Sequence, residues 1–398
     1  MAQSSSVSVA IPRSIWALGF VSLLMDVSSE LIHSLLPVFM VTALGMSAFA
    51  VGLIEGAAEA TALIVKVFSG VVSDWLGKRK FLAVLGYGLG AASKPLFAIA
   101  TSAGWVLSAR LIDRVGKGIR GAPRDALVAD LAPPEIRGAA FGLRQSLDTV
   151  GAFLGPLLGM GLMLLWADDF RAVFWVAIIP GVLAVALLLF GVQEPAHHEG
   201  KRSVNPLKRE NLRRLSSSYW WVVLIGAVFT LARFSEAFLV LRAQQSGLPL
   251  AFAPLVMIAM NVIYAVAAYP CGKLADAMSH RKLLVWGLLL LIVADLFLAY
   301  DNHWAIIWAG VTFWGLHMAM TQGLLATMVA DTAPADLRGT AFGLFNLMSG
   351  VALLLASGLA GWLWEAYSPS MTFYAGAVFC ILALGLMGFR AMPRNAAD

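Results

Sequence analysis

Long apolar stretches alternate with short polar ones along the whole chain. Crossing a bilayer takes about 20 mostly apolar residues in a helix. Twelve stretches meet that length, at roughly 15–43, 49–72, 81–100, 103–122, 137–166, 171–192, 219–244, 251–275, 281–300, 304–328, 338–365 and 369–392. Most connections hold only a few residues. The exception, QEPAHHEGKRSVNPLKRENLRRLSSS at about 193–218, divides the stretches six and six. The pattern predicts an N-terminal six-helix bundle over 1–192, a linker over 193–218 and a C-terminal bundle over 219–398.

Composition agrees with a membrane class. Of 398 residues, 60% are hydrophobic and 13% charged, against roughly 25% charged in a soluble domain. So few charges cannot cover the surface of a water-soluble fold. Cys271 and Cys380 both lie in apolar stretches and imply neither a disulfide framework nor a metal site. The first apolar stretch is too long for a signal-peptide core and is expected to stay as a helix. The net charge of +5 does not point to nucleic acid, because the basic residues sit in short connections. With the N-terminus inside, Lys78, Arg79, Lys80, Arg114, Lys117, Arg120, Arg124, Arg137, Arg281, Lys282 and Arg338 fall on the inner side, and only Arg171 and Arg242 on the outer. That bias predicts cytoplasmic N- and C-termini in the inner (plasma) membrane.

The halves repeat. ADLAPPEIRGAAFGL (Ala129–Leu143) returns as ADTAPADLRGTAFGL (Ala330–Leu344) at an offset of 201 residues. Gly70, Asp74, Arg79 and Lys80 return as Gly272, Asp276, Arg281 and Lys282 at an offset of 202. Both blocks fall on one side, so the repeats are parallel. Parallel repeats occur in transporters that bind substrate between the halves near the midplane.

These motifs also carry a resemblance. SGVVSDWLGKRK (Ser69–Lys80) resembles the loop signature of the major facilitator superfamily: a glycine, an aspartate four on, then a basic cluster. Trp75 stands where many members have Arg or Lys. Gly142, Gly151, Gly155, Pro156 and Gly159 are similar to the family's fifth-helix antiporter pattern, with Met160 in place of its final glycine and no Gly-Pro counterpart in the second half. Arg110 resembles the family's membrane-embedded arginine, and Arg114 stands where that pattern often has glycine. DRVGKGIRGAPRDAL (Asp113–Leu127) is similar to a subgroup of bacterial facilitators. The resemblance implies an all-α integral membrane protein, twelve transmembrane helices in two parallel six-helix repeats, acting as a monomer without cofactor. It implies a gate latch built from Asp74, Arg79, Arg114, Asp276 and Arg281, and export by antiport. Helix glycines let backbones approach closely, and Pro156 permits a bend that neighbouring helices re-satisfy.

An ionisable group at membrane depth costs at least about 2.5 kcal/mol and persists when paired or functional. Asp26, Glu30 and His33 are spaced to share one face of the first helix, as are Glu55, Glu59 and Lys66 in the second. Arg144 with Asp148 and Arg233 with Glu236 are close enough along their helices to neutralise locally. Asp26 and Glu30 have no basic residue near them on their own helix, so Lys94, Arg110 or Arg233 would have to reach them from elsewhere. A carboxyl in a low-dielectric cavity takes up a proton more readily than one in water. Asp26, Glu30, Glu55 and Glu59 are therefore the proton-coupling candidates, Glu30 foremost. His317 is either a substrate or proton ligand or a hydrogen-bonded packing residue beside Trp314.

The function predicted is a secondary exporter of a small molecule, exchanged for protons by alternating access. No nucleotide-binding loop is present, and no enzyme chemistry is expected. One alternative is a divalent metal exporter, similar to nickel-resistance facilitators, using Asp26, Glu30, His33, Glu55 and Glu59 as ligands. Another is a membrane sensor or assembly factor that does not transport. Coupling chemistry is expected to lie mainly in the N-terminal half.

Overall fold

The computed structural model describes residues 11–76, 78–133, 136–194, 214–300, 304–321, 323–334 and 337–389. Every regular element among them is helical, and the helices make twelve passes. The first six are α1 (Arg13–Thr42), α2 (Ala48–Leu76), α3 (Arg79–Ala98), α4 (Ala103–Leu131), α5 (Arg137–Leu165) and α6 (Phe170–Gly191). The second six are α7 (Ser217–Gln245), α8 (Pro254–Ala277), α9 (His280–Ala299), α10 (Trp304–Thr321 with Leu324–Thr332), α11 (Arg338–Ala366) and α12 (Pro369–Phe389). The predicted linker lies mostly at 195–213, outside the described residues.

Ten passes are long and apolar enough to cross a membrane on length and composition alone. The other two are α4 and α10. α10 is interrupted beside Gly323, whose φ of +81° lies in the left-handed region that glycine adopts without strain. α4 carries a run of charges from Arg110 to Asp130 and continues to Leu131, beyond the end near 122 that hydropathy predicts. Hydropathy treats a charge as a helix-ender because it assumes lipid on all sides, and the charged face of α4 meets protein instead. Local signals set other boundaries. Asp169 caps α6 by accepting from the backbone N–H of Arg171 and Ala172, and Ser216 caps α7 by accepting from Tyr219.

The repeat seen in the motifs governs the whole helix frame. α3, α4 and α5 recur as α9, α10 and α11, start for start and end for end, 201 residues later. Twelve passes bring the start of α1 and the end of α12 to one face, called basal here; the opposite face is distal.

The two halves meet mainly where α2 packs on α11. Gly52 and Gly56 of α2 face the α11 backbone at Ser357 and Leu354. A Cβ on Gly361 would lie 2.5 Å from the Ala48 carbonyl oxygen. At the distal end the Phe49 N–H donates to Glu365 Oε2 at 3.4 Å. A pocket of about 300 Å³ lies at this seam, lined by Val41, Ala48, Leu241, Gln244, Trp364 and Glu365 among others. Outward faces such as Phe190, Val266 and Leu165 stay exposed, as they must where lipid is the solvent.

Candidate functional site

α4 organises the site. Arg110, Arg114, Lys117, Arg120 and Arg124 recur at steps of three or four residues, with Asp113 beside Arg114, which places them along one stripe of the helix. Each charge on the stripe except Lys117 finds a partner on another element or beside it. Arg110 grips Glu55 with two hydrogen bonds, Nε donating to Oε1 at 3.0 Å and Nη2 donating to Oε2. Such bidentate pairs are among the strongest polar contacts. Glu55 is buried.

One turn on, Arg114 lies 3.1 Å from Glu59 and 2.9 Å from His33 Nδ1. His33 also stands 3.4 Å from Asp113 and 3.7 Å from Glu30. Asp113 accepts from Lys94 Nζ at 2.7 Å, and Lys94 donates to Ser29 Oγ at 3.0 Å. Lys94 is fully enclosed, at 0% exposure. The pair is possible because α3 and α4 touch at glycine: a Cβ on Gly86 would lie 2.7 Å from the Gly116 carbonyl oxygen. Nearer the basal face, Arg120 stands 4.0 Å from Asp26 and lies over the Tyr87 ring at 4.7 Å. Beyond it Arg124, Arg144, Asp125 and Asp148 form a four-membered cluster, with Arg144 to Asp148 at 3.6 Å along α5.

Exposure grades across this network. Glu59 is 34% exposed, while Asp26, Glu30 and Asp148 are each at 23%. Lys117 is exposed although it lies midway along α4. The charges of Asp26, Glu30, Glu59 and Glu236 all act on it. These residues come from α1, α2 and α7, so Lys117 faces a solvent-reached space between the halves.

The glycine pattern of α5 sits directly behind the α1 carboxylates. A Cβ on Gly151 would lie 2.5 Å from the Leu23 carbonyl oxygen and 3.0 Å from Asp26 Cβ. One on Gly155 would meet Glu30 Cβ and the Val27 oxygen, each at 2.9 Å. Gly159 faces Leu31 at 3.3 Å, and Pro156 lies inside the helix. The pattern therefore lets α1 and α5 touch where Asp26 and Glu30 turn toward the central space.

Arg233 and Glu236 flank a break in α7, between Ala232 and Ala237, and their charges act on each other. His317 lies apart from the network. It is buried between Phe229 and Trp314, with Nδ1 2.8 Å from the Gly287 carbonyl oxygen.

The latch residues divide. Arg114 is not at a loop but buried at mid-span, because it has Glu59 and His33 to pair with. Arg79, at the start of α3, binds Asp130 at the end of α4. The second half repeats that contact with His280 and Asp331, 3.8 Å apart. Arg281 instead donates to the Met387 carbonyl at 2.7 Å. The Asp74 and Asp276 side chains are outside the described structure.

Sequence reasoning did not single out Asp113, Lys117, Arg120 or Asp295 as site residues. Topology counting places Lys117 and Arg120 with the inner-side charges although both lie inside the predicted stretch 103–122; the steps of three and four from Arg114 to Arg124 are the signal that marks them as one stripe of the helix. Asp295 of α9 is buried, neither carboxylate oxygen has a hydrogen-bond partner among the described residues, and a Cβ on Gly376 would lie 2.7 Å from it.

The model of the Major Facilitator Superfamily matches residues 18–262 and 235–398. An uncharacterized MFS-type transporter of Methanocaldococcus jannaschii is 32% identical over 377 residues, covering 93% of each chain. The quinolone resistance protein NorA of Staphylococcus aureus is 23% identical over 372 residues, covering 91% of this chain and 93% of that one. Among solved structures, a POT family transporter in complex with 5-aminolevulinic acid superposes with a TM-score of 0.80 at 13% identity, covering 95% of this chain and 96% of that one. That likeness concerns the fold.

Proposed function

The chain belongs to the Major Facilitator Superfamily, and from that premise we propose that it exports a small molecule across the plasma membrane in exchange for protons, by alternating access. The observation that carries the reading is the graded chain of titratable groups. It runs from half-open Asp26, Glu30 and Glu59 through His33 to the enclosed Asp113–Lys94 pair. Protons arriving from the central space would meet Glu59, Glu30 and Asp26 first. Their arrival would weaken the hold of His33 and Arg120, and with it the packing of α1 on α4. The α5 glycines place those carboxylates against the interface that has to move. The likeness to a quinolone resistance protein supports the outward direction. The basic residues of the basal face support a cytoplasmic placement of both termini.

A divalent metal cargo finds no support. Among the described residues no group of three His, Cys, Asp or Glu is arranged to hold a metal ion. Of the candidate ligands, Glu55, Glu59 and Asp26 lie beside Arg110, Arg114 and Arg120, and His33 beside Arg114, cations that disfavour a second one.

The test is transport in proteoliposomes under an imposed pH gradient. Glu30→Gln, and separately Asp26→Asn, should abolish gradient-driven accumulation while leaving downhill exchange of substrate intact. Accumulation that keeps its full gradient dependence in both variants would sink the reading.

A further inference from the structure

The pocket at the distal seam lies apart from the charge network, and both halves build it. Val41 of α1 and Ala48 of α2 form one wall, and Leu241 of α7 and Trp364 of α11 face them. Its volume of about 300 Å³ is at the small end for sites that hold organic molecules. Exposed Trp362 and Tyr367 pack edge to face beside it, with ring centroids 5.6 Å apart. Aromatic side chains of this kind mark the level where membrane meets water.

Among the described lining residues only Glu365 is charged. Its Oε2 accepts one long hydrogen bond, 3.4 Å, from the Phe49 N–H. Among the described residues no ion pair within 4.0 Å engages its carboxylate. The basic residues of this face are committed elsewhere. Arg171 donates to the Ala98 and Ala100 carbonyls, and Arg242 to the Leu298 carbonyl. With Asp168 and Asp169 counted, the described charges of the distal face are three acids against those two arginines. The excess there is negative. The Gln244 and Gln245 carboxamides line the same pocket, and among the described residues neither makes a hydrogen bond. The Ser47 hydroxyl is taken by the Ala50 N–H.

One carboxylate and two carboxamide oxygens beside a hydrocarbon wall suit a particular chemistry. A primary ammonium has three N–H donors to offer them. A hard metal ion would take about six or more oxygens and leave the apolar wall unused. We propose that the distal pocket is a second ligand site, for a small amphipathic primary amine. Glu365, Gln244 and Gln245 of the second half hold the ammonium. Val41 of the first half closes over the apolar body. A ligand gripped by both halves favours the conformation in which they are joined there. The site does not depend on the transport reading, since none of its residues belongs to the proton chain.

The experiment uses the full chain in detergent micelles and titrates phenethylamine against 2-phenylethanol by calorimetry. The amine should bind saturably, and the alcohol should not bind at the same concentrations. Glu365→Gln should weaken the amine about tenfold, the effect of exchanging a charge-assisted hydrogen bond for a neutral one. Glutamine keeps an acceptor for the Phe49 N–H, so an unchanged unfolding midpoint of the free protein is the check on its fold. Val41→Phe alters no charge but fills the pocket from the other half, and it should abolish binding. Equal binding of amine and alcohol overturns the proposal, as does no binding of either. Amine binding that survives Glu365→Gln or Val41→Phe unchanged overturns it too. Nanodiscs then distinguish the source. Amine binding lost with phosphatidylethanolamine and kept with phosphatidylcholine assigns the site to a lipid amine, and binding kept with both assigns it to a soluble one.

Discussion

α3 and α9 are the same helix twice, each 20 residues long and 201 residues apart, yet their sixteenth positions are Lys94 and Asp295. Both side chains are fully enclosed. Lys94 is satisfied by Asp113 and Ser29; among the described residues neither oxygen of Asp295 has a hydrogen-bond partner. The reason lies one helix on. The counterpart of Asp113 on α10 is Trp314, and the counterpart of Arg114 is Gly315. Duplication thus preserved the helix frame while the two halves diverged in what fills it. The first half is built around paired charge, the second around aromatic packing of Phe234, Phe238, Trp314, Trp364 and Phe373.

That contrast can be broken by substitution. Lys94→Met leaves buried Asp113 with only the longer contacts to His33 at 3.4 Å and Arg114 at 3.5 Å and should cost about 3 kcal/mol, the lower end for removing one partner of a buried pair. The readout is the unfolding midpoint in detergent, and Lys94→Met with Asp113→Leu together should recover much of the loss. Asp295→Asn, at the matching position, should stay within about 1 kcal/mol, because no partner is lost; a loss as large as that of Lys94→Met would show that the halves do not differ as described.

A smaller effect is expected at the α1–α5 contact. Gly151→Ala and Gly155→Ala should each cost about 1–3 kcal/mol by overpacking and should shift the apparent substrate affinity through Asp26 and Glu30. The counterparts in α11 are already Ala352 and Ala356, so Ala356→Gly in that helix should change transport little. The smallest effect belongs to the basal contacts. Arg79→Ala and His280→Ala remove partly exposed pairs worth at most about 1 kcal/mol. If they act as latches, they change the rate of exchange and not the unfolding midpoint; a shift in midpoint alone would mark them as structural.

The fold was open to sequence reasoning because lipid imposes a simple rule, about 20 apolar residues per pass, and because the duplicated motifs fixed the relation of the halves. The site was open only in part. Asp26, Glu30, His33, Glu59, Arg110 and Arg114 do gather, since carboxylates at helical spacing on an apolar helix need neighbours. Their partners were harder to foresee, because pairing across helices depends on which faces meet. Lys94 had been a possible partner for Asp26 or Glu30, and the glycine contact of α3 with α4 gives it to Asp113 instead. Lys117 is hidden for a different cause: it lies inside the predicted stretch 103–122, yet counting basic residues for topology assigns it to the inner side.

The glycines between α2 and α11 have a mechanical consequence. They weld the halves along one edge by backbone contact, whereas no glycine of α5 or α8 faces the other helix across the opposite edge. At each of these positions a methyl group would strike backbone of the facing helix, so the two bundles stay at backbone distance along that seam only while those residues remain glycine.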